Sequence, residues 1–160
     1  MRFRSNEIGQ VEETWRQYVP SASLQRVDPA RFHFDWSSTE LGSVTLVNYE
    51  LAAEVHSIAE PQDELLVCRV AAPAVELDSR REALDASQPW LTDGARVEAR
   101  WQQTARVRAL VIDRSAAQAR VRQITGDDAL TLRSSGLRPR DASSGRHWER
   151  TVEYLEEAVA

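Results

Sequence analysis

Three histidines, one cysteine and five tryptophans carry most of the side-chain chemistry this chain can offer. A metal centre needs ligands that converge. His33, His56 and His147 stand far apart, none has an H-x-H or H-x3-H partner, and there is no cysteine pair. No metal and no cofactor are expected. Nucleophile motifs are missing too: there is no G-x-S-x-G and no glycine-rich phosphate loop. The serine pairs at Ser37, Ser134 and Ser143 read as loop or cap residues, and Asp127-Asp128, just after Gly126, reads as a solvated turn. No catalytic residue is assigned, and the chain reads as a non-enzyme. The tryptophans remain: Trp15, Trp36, Trp90, Trp101 and Trp148. Aromatic side chains fill cores, and they also line the apolar pockets found in β-barrel mouths. Trp36, Trp90 and Trp101 fall in strand-like segments, so they are the candidate walls of a small-molecule pocket, with His56 and Arg69 as its candidate polar anchors.

The elements that would position these residues follow from the period of the apolar pattern. Val11, Trp15 and Tyr18 lie on one helical face, and Pro20 ends that short helix. The period then changes to two. Phe32, Phe34 and Trp36 alternate with Arg31, His33 and Asp35, the pattern of a half-buried strand. A Leu41-Gly42-Ser43 turn leads into a second strand over 44–49. Further strand candidates follow at 54–58, 64–70, 75–77, 81–84, 88–91, 96–101 and 106–112. In the last of these Arg106 and Arg108 face away from Val107, Ala109 and Val111. Many short, evenly spaced strands predict an antiparallel barrel or jelly roll. After Ile112 the period returns to helical. Asp113 or Ser115 can cap a helix with the stripe Ala117, Val121 and Ile124, closed by Gly126. A linker with a short extended piece at 130–132 leads to a last helix capped by Ser143 or Ser144 and running to Ala160.

A length of 160 residues suits one domain with a sizeable core, the barrel over about 31–112 and the C-terminal helices over about 115–125 and 144–159. No run approaches the roughly 20 apolar residues that span a bilayer, so no membrane partner is expected. The lone Cys68 excludes an internal disulfide and, with an N-terminus that lacks a secretory apolar region, fits a cytoplasmic protein. Cys68 lies inside an apolar run and is expected to be buried. The net charge is −5, and all 20 basic residues are dispersed arginines. Phosphate backbones are bound by clustered cations, so these residues are not expected to bind DNA by themselves.

Five segments carry a resemblance. They are "STELGSVTLVNYE" from Ser38, "DELLVCRVAAP" from Asp63, "EALDASQPWL" from Glu82, "RVRALVIDRSAAQARVRQITGDDALTLRSSGL" from Arg106 and "GRHWERTVEYLEEAV" from Gly145. In this order and spacing the chain resembles the N-terminal sensor domain of AraC/XylS-type transcription regulators, in the branch called AraC-binding-like. The resemblance implies a cupin-like barrel followed by helices, effector binding in the barrel and dimerisation through the helices. It also implies a C-terminal pair of helix-turn-helix units that bind DNA. That half is absent from these residues, so any contact with DNA would need a further domain. A second departure is the lack of glycine between Leu77 and Gly94, where relatives often carry turn glycines.

The last helix fits this picture. Trp148, Val152, Leu155 and Val159 form one stripe, widened by Thr151, Tyr154 and Ala158. The stripe still runs where the chain stops, so the helix is expected to face a second copy, a downstream domain or both. Trp148, Val152, Leu155 and Val159 are the candidate interface of a homodimer, whose symmetry would suit paired half-sites on DNA. Packing of the same stripe on the chain's own barrel is the competing expectation. The functional expectation is a ligand-sensing and dimerisation module of an AraC-type regulator, with a small-molecule effector as partner. The alternative is a stand-alone cupin-like small-molecule binding protein.

Overall fold

The computed structural model describes residues 1–21 and 23–159, with the backbone alone at Gln25 and Arg26; Ala160, the expected last residue of the final helix, lies outside them. The elements run β1 (Arg2–Ser5), α1 (Ile8–Arg16), β2 (Ser23–Val27), β3 (His33–Leu41), β4 (Val44–Ala52), β5 (Val55–Ala59) and β6 (Glu64–Ala71). They continue β7 (Val75–Asp78), β8 (Trp90–Thr92), β9 (Val97–Trp101), β10 (Ala105–Asp113), α2 (Arg114–Thr125) and α3 (Ala142–Val159). Every described strand pairing is antiparallel. One sheet has the order β1-β3-β4-β10-β6-β8 and the other β2-β5-β9-β7. The two sheets enclose the main core, which gives the mainly-β, cupin-like fold expected from the alternating pattern.

Parity decides which side chains enter that core. On β3, Phe34 and Trp36 are buried while His33 is exposed. On β10, Ala105, Val107, Ala109 and Val111 face inward, and Arg106, Arg108, Leu110 and Ile112 face the other side of the sheet. The central position of β10 between β4 and β6 accounts for its unbroken apolar inner face. Helix α1 brings Val11 and Trp15 into the same core, and Trp15 meets Phe34 and Tyr49 edge-on at ring distances of 6.4 and 5.3 Å.

Helix α3 makes a third layer. Its Val152 is fully buried against Leu46 and Leu110 on the outer face of the six-stranded sheet, with Trp148 and Leu155 packed beside it. Arginines surround this contact. Arg69 and Arg108, register partners on β6 and β10, reach Glu149 at 3.2 Å and Glu156 at 3.3 Å. Gly145 in the first turn is buried, and a Cβ there would stand 2.5 Å from the Gln88 amide oxygen, so a larger residue would make that side chain shift.

Several expectations are corrected. The stretch 81–84 is a loop rather than a strand: it pairs with no described strand, and the side chains of Arg81 and Glu82 tie it to other loops. Arg81 donates to Asp93 at 2.9 Å and to the Ser134 carbonyl at 3.0 Å, and Glu82 accepts from the Leu137 amide. Residues 130–132, expected as a short extended piece of the linker, lie along α2, where Gln118 donates to the Leu130 carbonyl at 2.6 Å and accepts from the Leu132 amide at 2.5 Å. Asp113 and Gly126 cap α2 as expected, with Gly126 at φ 70°. Its predicted stripe is not a buried one, though: no residue of α2 is buried, and Ile124 is 70% exposed. Helix α3 begins one turn earlier than its serines suggest, so Asp141 is the cap and accepts from the Ser144 amide at 2.7 Å. Strands β1 and β2 were not foreseen; β1 pairs along β3, and β2 along β5.

Candidate ligand cavity

Between the two sheets lies a cavity of about 70 Å³. Its wall is built by parity from both sheets: Trp36 from β3, Trp90 from β8 and Trp101 from β9, each at most 4% exposed. These three are the tryptophans singled out from their strand-like surroundings, and the fold brings them to one void. Helix α1 closes one side with Trp15, and Tyr18 just beyond it reaches the same wall. Trp36 stacks on Tyr49, its register partner on β4, with ring centroids 5.5 Å apart and planes 12° from parallel. Tyr18 lies 5.2 Å from Trp36 and anchors its hydroxyl 2.7 Å from the Ser38 hydroxyl.

Among the described residues the wall holds no charged side chain. Its thiol and buried phenol stay neutral at ordinary pH. Burial pushes the Cys68 thiol up to about 12, and burial, with Cys68 beside it, pushes the Tyr49 hydroxyl well above its ordinary value. The indole nitrogens of Trp36, Trp90 and Trp101 are buried and meet no acceptor among the described residues. An N–H left in that state costs about 1–3 kcal/mol.

The two polar anchors expected from the sequence stand elsewhere. Arg69 has the opposite parity to Leu66, Cys68 and Val70, and so faces outward; it donates to Glu149 of α3 and, at 2.5 Å each, to the carbonyls of Val70 and Ala86. His56 also faces outward, from the four-stranded sheet, with Nε2 2.7 Å from Glu98. The hydrogen bond from His56, with Arg96 next to it, holds the Glu98 carboxyl below the usual carboxylate range. Neither residue touches the cavity. Residues not foreseen there are Trp15, Tyr18, Tyr49 and Cys68. Tyr49 was legible: it shares parity with Val47 and Leu51, whose side of β4 turns into the main core.

The candidate interface residues split as well. Val152 is fully buried on the chain's own sheet, and Trp148 and Leu155 are half-buried there, so the competing expectation holds for these three. Val159 is 37% exposed and Tyr154, on the outward flank of α3, is 69% exposed. A shallow groove joins the helix layer to the cavity wall. Trp90, which lines the cavity, also lines this groove together with Leu137 and Trp148. Leu137 is fully buried in the main core, and its carbonyl accepts from the Leu91 amide at 2.7 Å.

Among the described residues no group of three or more His, Cys, Asp or Glu side chains is placed to hold a metal ion. No described helix is long and apolar enough to cross a membrane.

No protein-family model and no curated protein matches the chain. Solved structures do. The AraC-like transcriptional activator CuxR superposes on 98% of this chain with a TM-score of 0.65 at 13% sequence identity. The chain spans 60% of that protein's length. Partial matches include the Schizosaccharomyces pombe Cnp3 cupin domain, with a TM-score of 0.43 at 12% identity over 64% of this chain and 76% of that one. Another is ectoine synthase from P. lautus, with a TM-score of 0.41 at 8% identity over 50% of this chain and 64% of that one. The full-length superposition establishes a fold shared with an AraC-like activator, barrel and trailing helices together.

Proposed function

We propose that this chain is the ligand-sensing domain of an AraC-type transcription regulator, with the cavity between its sheets as the effector site. The observation that carries the reading is the superposition, over nearly the whole chain, on an activator of that kind. Two features support it. The aromatic, uncharged cavity is of the type that holds small molecules in barrel mouths. And Trp90 belongs both to the cavity wall and to the groove beneath the segment leading into α3. A ligand that prefers one setting of Trp90 shifts the balance between docked and loosened α3, since a ligand moves an equilibrium only through its different affinity for the two states. DNA would be contacted by residues outside this chain, in keeping with its net charge of −5. A second copy would pair through the outward flank of α3, where Thr151, Tyr154 and Ala158 are exposed.

The reading is tested by filling the void. Ala109 lines the cavity from the middle of β10. A small-molecule library screened by melting temperature and tryptophan fluorescence is expected to yield a stabilising compound that Ala109→Leu no longer binds. A response that survives in a folded Ala109→Leu protein places the ligand elsewhere and ends this reading.

A further inference from the structure

The barrel and its trailing helices meet through one short segment. Of the described residues after Asp113, Leu137 alone belongs to the main core, where it is fully buried. Helix α3 packs on a separate cluster on the outer face of the six-stranded sheet, and only its Gly145 and Val152 are buried. Residues 133–139 lead into α3 beside β8, the last strand of that sheet. There the Leu137 carbonyl accepts from the Leu91 amide at 2.7 Å, on the edge that β6 leaves open.

Two carboxylates fasten the segment. Asp93, just past β8, accepts from the Ser134 amide at 3.1 Å, from the Ser134 hydroxyl at 2.6 Å and from Arg81 at 2.9 Å. Arg81 also donates to the Ser134 carbonyl at 3.0 Å. Glu82 accepts from the Leu137 amide and pairs with Arg138 at 3.3 Å. Arg81 and Glu82 lie in the loop 79–89, which pairs with no described strand, and the same loop reaches α3. Its Gln88 lies against Gly145, and its Ala86 carbonyl accepts from Arg69, which also donates to Glu149. Side chains and one buried leucine therefore hold this segment, where β10 is held by strand ladders on both sides.

We propose that residues 133–139 are a latch. Leu137 is its pin and Asp93 its clasp. Closed, it holds α3 on the sheet; opening frees latch and helix together as one unit while the barrel stays shut. Proteins open in such cooperative units, and the weakly held ones open first. The unit is a two-state element beside the cavity, since Trp90 lines both the cavity and the groove under the latch. The proposal does not depend on what the cavity binds. Asp93 is a positioning residue here: it bonds to the latch, and α3 responds through it.

Native-state hydrogen exchange on the ¹⁵N-labelled chain in low denaturant tests the latch. The amides of Leu91, Ser134 and Leu137 and those of Val152 and Leu155 in α3 are expected to share one opening. After correction for intrinsic rates, that opening should be roughly tenfold or more faster than exchange at Ala109 and Val111 on β10. Asp93→Ala should speed the latch and α3 amides alike by roughly tenfold and leave the β10 amides unchanged. Ser134→Ala, which removes only the hydroxyl bond, should move both groups the same way by a smaller factor, and it carries the test if Asp93→Ala does not fold. Latch and α3 amides that exchange together with β10 make the helix part of the global unit and overturn the proposal. A variant that speeds the latch amides and leaves those of α3 in place overturns it too. Neither result bears on the cavity, which the Ala109→Leu experiment judges separately.

Discussion

Cys68 shows what burial does to a single side chain. Its thiol faces the void from β6, and burial raises it to about 12 from an ordinary value of 9.0. The thiolate is the reactive form, so the native protein should resist iodoacetamide at pH 8 and react only after unfolding. Stability follows the same linkage. Between pH 9 and about 12 the unfolded chain has released the thiol proton and the folded chain still holds it, so the folded state binds more protons and stability falls as pH rises. Below pH 9 the contribution is complete. Tyr49, raised in the same direction, adds to the loss at the alkaline end. Denaturant titrations at a series of alkaline pH values would show a declining midpoint, and a midpoint flat to pH 11 would contradict the buried setting of both groups. The burial of Cys68 was legible from its apolar neighbours. The outward aim of Arg69 was legible too, in its odd parity beside Leu66, Cys68 and Val70, yet the apolar run suggested a pocket anchor. His56 had no such signal, since which face of β5 is outward depends on pairing with β2 and β9.

Helix α3 has two faces with different work. The inner face holds Val152, fully buried on the six-stranded sheet. Val152→Ala is expected to cost about 2 kcal/mol, measured by chemical denaturation, from lost burial and the cavity left behind. The outer face carries Tyr154, 69% exposed, where Tyr154→Glu should leave stability nearly unchanged. If copies pair through this flank, the same change halves the mass seen by light scattering. An unchanged mass would remove the flank from the interface. The ion pairs around the helix orient it more than they hold it: Arg108 reaches Glu149, Glu153 and Glu156 at 3.3–4.0 Å but is 40% exposed, and pairs in such a setting are worth at most about 1 kcal/mol. The sequence announced this helix and its stripe by periodicity. What it withheld was the stripe's partner, because Leu46, Leu110 and Val67 come together only when β4, β10 and β6 pair. The missed β1 and β2 have the same explanation. Each is short, and each is a strand because a neighbour, β3 for one and β5 for the other, offers it an edge.

At the scale of the molecule, the strand that comes last in sequence stands in the middle of the larger sheet. β10 pairs with β4 on one side and β6 on the other, so both halves of that sheet wait for it. A chain cut after Thr104 would leave two open edges and no centre. It is expected to show no cooperative melting transition by circular dichroism, and a sharp transition would mean that the smaller sheet can organise the barrel alone. During synthesis on the ribosome, then, this protein cannot mature piece by piece from its N-terminus. Strands β4 and β6 keep an open edge until β10, ending at residue 113, has cleared the exit tunnel and can pair with both. For that interval the nascent sheet has open edges that other chains could pair with, and slow codons placed before β10 are expected to lengthen the exposure.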